Sequence, residues 1–140
     1  MQHSIFWPVI ALVVLTFVVW VRMYLVRTAE IRRRRIDPQA LATSQSGAGL
    51  LQDVAPADNF RNLFEVPVLF YAVCVALAVT GGVTSVQLAL AWAFVALRAI
   101  HSAIHITGNR VMHRFAVYVL GALCVYAMWA LFALHLFRLG

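Results

Sequence analysis

Four stretches of this sequence stay apolar for about the 20 residues a helix needs to cross a bilayer. They lie at about 5–26, 60–80, 83–105 and 114–137. Hydrocarbon offers no partner to a backbone N–H or C=O, so each span must close its own hydrogen bonds as an α-helix. The expected fold is therefore an all-α membrane protein, a four-transmembrane-helix bundle forming one domain over residues 1–140. Composition agrees: 64% of residues are hydrophobic and 11% charged, too apolar for an ordinary soluble domain. The first run reads as a span and not as a signal peptide. No arginine precedes it, no small-residue cleavage site ends it, and Arg32 to Arg35 follow it.

The connections differ in kind. Residues 27–58 read as a long polar loop holding "IRRRR", a short helix opened by Asp37 and Pro38, and a flexible "TSQSGAG". "TGGV" reads as a tight turn and "ITGNRVMHR" as a short loop. The net charge is +6, and all 11 basic residues are arginines. They flank apolar runs, which excludes nucleic acid as the partner and points to membrane lipids. All but Arg138 fall on one side of the membrane. By the positive-inside rule the 27–58 and 106–113 loops are cytoplasmic and both termini periplasmic. The all-arginine loop and short termini suggest a bacterial inner membrane. Cys74 and Cys124 lie within apolar runs and read as packing residues.

A polar layer interrupts this pattern. "RAIHSAIH" sets Arg98, His101 and His105 on one helix face near the end of the third span. Asn62 and Glu65 stand at the start of the second span, and Arg114 and Tyr118 at the start of the fourth. All come to a similar depth below the cytoplasmic interface, where ionisable groups turn toward the bundle or a cavity. Arg98 and Glu65 are thus expected to face the bundle or a subunit interface. A structural role explains any one of them: Glu65 could pair with Arg98 or with Arg61, four residues before it. The set is harder to explain so, because Arg61, Arg98, Arg110 and Arg114 around one carboxylate leave excess positive charge suited to an anion. His101 and His105 have the spacing of a zinc chelate, but Arg98 on the same face opposes a dication, and we assign no metal.

These residues resemble the MAPEG family, the membrane-associated proteins in eicosanoid and glutathione metabolism. The similarity is carried by "RNLFEVPVLF" in the second span and "RAIHSAIHITGNRVMHRFAVY" across the third and fourth. It is nearest to the microsomal glutathione transferase and prostaglandin E synthase branch. The resemblance implies a homotrimer with glutathione, as co-substrate, in a cytoplasmic-side cleft between subunits. It implies that Arg61, Asn62, Glu65, Arg98, His101 and His105 bind the tripeptide, and that Arg114 faces the sulfur with Tyr118 beside it. His105 stands where relatives often have tyrosine. Small residues, among them Ala72, Ala76, Ala78, Gly121 and Ala122, suit close helix approach in a trimer.

The chemistry fits the residues: two carboxylates need arginines and an ammonium needs a glutamate. A thiol of pKa about 8.5 must ionise to attack, and lowering that by about 2 units takes about 2.7 kcal/mol. The expected activity is a glutathione-dependent transferase or peroxidase acting on a lipophilic electrophile or hydroperoxide. The rival expectations are a non-enzymatic lipid-binding relative and an accessory subunit of a larger membrane complex.

Overall fold

The computed structural model describes residues 2–43, 49–108 and 110–138 and is all-helical over them. Its helices are α1 (Phe6–Arg34), α2 (Ala55–Asn62), α3 (Val66–Thr80), α4 (Ser85–Ile106) and α5 (Val111–Phe137). Four helical units are long and apolar enough to cross a membrane: α1 with its preceding turn, α2 and α3 together, α4, and α5. The chain is a four-helix integral membrane bundle, as its apolar runs require.

At 1.5 Å per residue, the 29 residues of α1 reach about 43 Å, well beyond a hydrocarbon core of about 30 Å. The connection expected from residue 27 therefore starts only after Arg34. Arg35 closes the helix in the left-handed region (φ 51°), and the Ile36 amide donates back to the Ile31 carbonyl at 3.1 Å. Arg32 to Arg34 crowd the last turn, where the helix dipole favours cations.

Glu30 in this extension is buried. It accepts from Arg34 Nη1 (3.0 Å) and from the amides of Gln52 (2.8 Å) and Asp53 (3.4 Å), tying the far end of the connection to α1. Asp37 caps a short 3-10 turn at Pro38–Leu41, as the Asp-Pro pair signals. The core of "TSQSGAG", residues 44–48, lies outside the described residues, as does Asn109.

The second span is divided. The α-helix stops at Asn62 and resumes at Val66, with Leu63 to Glu65 between. Pro67 lacks the N–H that would bond the Leu63 carbonyl and is accommodated only in a first helical turn, so the helix restarts around it. Glu65 becomes the residue just before α3. The break also cancels the i, i+4 relation expected between Arg61 and Glu65. Arg61 lies 3.7 Å from Asp58, and its side chain is 74% exposed.

At the opposite end, Gly81 takes φ 72° in the α3–α4 turn, a conformation open to glycine. The Gln2 side chain clamps this turn, donating to the Gly81 carbonyl (3.0 Å) and accepting from the Val83 amide (3.2 Å). Between the two ends runs an apolar core. Phe70 and Phe94 meet at 4.8 Å between ring centroids, and Leu12, Val73, Leu77, Ala91, Val125 and Met128 close around them. Much of α1 and α5 remains apolar and exposed, the natural condition of lipid-facing helices.

Candidate functional site

Three chain segments converge at the arginine-rich end of the bundle. They are the α2–α3 break, the last turns of α4, and the first turns of α5. A cleft of about 260 Å³ opens there, lined by Asn62, Glu65, His101, Val111, Arg114, Phe115 and Tyr118. Asn62 and Glu65 reach the cleft because the helix breaks between them, and Glu65 is exposed in the single chain. Its Oε2 accepts from the Tyr118 hydroxyl at 3.3 Å.

Arg114 is held by the histidine pair. Its Nη1 lies 3.4 Å from His105 Nδ1, while its carbonyl lies 3.2 Å from His101 Nδ1. A guanidinium only donates, so His105 Nδ1 accepts and its proton sits on Nε2. Nε2 lies 3.5 Å from the Asn62 amide. An N–H there pairs with Asn62 only when the amide turns to present its carbonyl oxygen in place of Nδ2. His105 is thus a neutral spacer between Asn62 and Arg114, buried behind the cleft wall. The two imidazoles meet edge-on at 5.1 Å. The buried His101 Nε2 has no hydrogen-bond partner among the described residues.

Arg98 stands deeper. It is 1% exposed and does not line the cleft. Its guanidinium lies 4.7 Å from the Tyr118 ring centre and 5.1 Å from that of Phe94, and neither Nη atom has a hydrogen-bond acceptor among the described residues. Gly121 lies against this guanidinium: a Cβ there would stand 3.6 Å from Arg98 Nη2, an ordinary contact distance. Beside this layer Ser102 donates to Asn59 Oδ1 at 3.1 Å in a buried contact.

A family model described as the MAPEG family matches residues 5–134. This chain belongs to the MAPEG family. No curated protein and no solved structure matches it.

The cleft of this MAPEG protein gathers most of the residues singled out in the sequence. Asn62, Glu65, His101, Arg114 and Tyr118 line it, and His105 braces Arg114 from behind. Arg98 lies beneath Tyr118, and Arg61 points away into the open. Sequence reasoning missed Asn59, Val111 and Phe115 as part of the layer. Asn59 stands three residues before Asn62, so helix periodicity on α2 could have placed it; the apolar pair carries no such signal.

Proposed function

We propose that this MAPEG protein is a glutathione-dependent membrane enzyme of the transferase or peroxidase type. Its second substrate is a lipophilic electrophile or hydroperoxide entering from the bilayer. The observation that carries this reading is one cleft presenting a carboxylate, a phenol and a guanidinium together, with Val111 and Phe115 of α5 as its apolar wall. Glu65 and Asn62 suit the ammonium and amide groups of the tripeptide, and Arg114 suits its thiolate. Arg61, exposed, is the cation available for its carboxylates, and Arg98, buried beneath Tyr118, adds positive potential from behind the cleft. The site lies on the arginine-rich face, which we assign to the cytoplasm by its charge.

In this reading the thiol releases its proton to solvent on binding, and Arg114 holds the charge of the resulting thiolate. His105 keeps that guanidinium in place before substrate arrives, and His101 holds the Arg114 backbone carbonyl, the preorganisation that makes such a charge effective. Tyr118 has its hydroxyl directed at Glu65, and from that position it can hydrogen-bond the sulfur or the departing group. Phe115 and Val111 form the apolar side of the cleft, where a lipophilic partner exchanges lipid contact for protein contact.

The test is Arg114→Ala. Tripeptide binding should persist, while the ultraviolet thiolate band formed with glutathione disappears and turnover falls by about 100-fold. Arg114→Lys should recover part of both, since an ammonium is a more strongly hydrated point charge. Wild-type protein with neither glutathione affinity nor a thiolate band would move the assignment to a lipid-binding relative without catalysis.

A further inference from the structure

The end of the bundle away from the thiol cleft holds a second polar recess that the proposed reaction does not use. A cavity of about 260 Å³ lies between the start of α4 and the end of α5, with Gly82, Thr84, Gln87, His135 and Arg138 among its walls. Gln87 is the informative residue. It is 2% exposed, in the first turn of α4, and its Nε2 donates to the Met128 carbonyl at 3.1 Å. Met128 O can only accept, so the amide cannot be turned over. Among the described residues Gln87 Oε1, buried, has no hydrogen-bond partner. A buried orphan acceptor is costly, on the scale of a lost hydrogen bond, unless something donates to it.

Two features of the same recess favour an anion. The first turn of α4 borders it through Thr84, Val86 and Gln87, at the positive end of a 22-residue helix capped by Thr84. Arg138 supplies a full charge, the one arginine at this end among the described residues. The recess is closely fitted: a Cβ on Gly82 would come within 2.8 Å of the His135 ring, which is itself placed by a 3.3 Å contact to the Thr80 carbonyl. Below it the walls turn apolar, with Val86, Leu131 and Leu134 open to the surroundings.

We propose that this recess seats the headgroup of a phospholipid in the leaflet opposite the thiol cleft. The phosphodiester lies on Arg138 and the α4 N-terminus, the terminal ammonium or hydroxyl donates to Gln87 Oε1, and the acyl chains run down Val86, Leu131 and Leu134. A headgroup ending in a donor fits; a choline, which has no N–H, leaves Gln87 unsatisfied. The site stands apart from the thiol chemistry and holds or fails without it.

Native mass spectrometry of the full-length protein, released from detergent with defined lipids, tests this. Phosphatidylethanolamine should be retained about fivefold better than phosphatidylcholine of the same chains, one hydrogen bond's worth of preference. Arg138→Ala, a change at an exposed site, should weaken retention of both by about fivefold while glutathione binding is unaltered. Gln87→Met should erase the preference between the two lipids but keep the Arg138 dependence. If Gln87→Met does not fold, the comparison of the two lipids on wild type decides. Equal retention of the two lipids by wild type, or wild-type retention by Arg138→Ala, overturns the proposal. Displacement of the lipid by millimolar inorganic phosphate would leave an anion seat and overturn its assignment to a headgroup.

Discussion

At Arg98 the demands of stability and of function oppose each other. A guanidinium 1% exposed, whose Nη atoms have no acceptor among the described residues, sets the faces of Phe94 and Tyr118 against a large desolvation cost. An apolar side chain of similar length would relieve that cost. Arg98→Met should therefore raise thermal stability in detergent, by a margin on the order of 1–4 kcal/mol. It should also impair turnover, because Tyr118 loses the cation beneath its ring and the cleft loses positive potential. Thermal melts paired with glutathione conjugation assays measure both. A variant that is less stable than wild type would show that Arg98 has a partner outside the single chain. Gly121 belongs to the same knot. An added methyl would meet Phe94 at 3.5 Å and Arg98 at 3.6 Å, ordinary contact distances, so Gly121→Ala should be tolerated. Gly121→Leu should displace the guanidinium and unfold the layer, seen as lost monodispersity on size exclusion.

Among the elements, the α2–α3 break and the overlong α1 decide where function sits. The sequence made the four spans legible because bilayer thickness sets helix length so directly, and it made the polar layer legible because charge is conspicuous in an apolar run. It did not reveal the break, although Pro67 was in plain view: proline disrupts a helix upstream of itself, and whether the chain kinks or restarts depends on what the freed groups find. It did not separate Arg98 from the cleft either, since i, i+3 spacing gives a face but not a depth. Glu30 was hidden for another reason. Its partners are backbone amides 22 and 23 residues away, contacts that no local pattern encodes. Glu30→Gln should loosen that clasp, since a neutral amide accepts less strongly from two N–H groups and Arg34. Hydrogen exchange should accelerate at Gln52 and Asp53 while the core of α4 stays protected. Unchanged exchange at both amides would show that the connection is held by other contacts.

Over the whole molecule, the single chain leaves its cleft unfinished. Glu65 lies open at one side, and Arg61 extends away from the residues it would have to join. A tripeptide with two carboxylates needs more cations than Arg114 alone offers inside the cleft. The simplest completion is a cyclic homo-oligomer in which Arg61 of one copy reaches the Arg114 cleft of the next, a head-to-tail contact that closes on itself. We expect a homotrimer, and cross-linking in native lipid should stop at three copies. A sharper test is complementation. Arg61→Ala and Arg114→Ala should each be poorly active alone. If each cleft joins Arg61 of one copy to Arg114 of its neighbour, co-expression in equal amounts should restore about a quarter of the clefts. That fraction follows because each cleft then draws both intact residues with a chance of one half apiece. If both arginines serve from the same chain, every cleft in every mixed oligomer keeps one defect, and activity should stay at the level of the single variants.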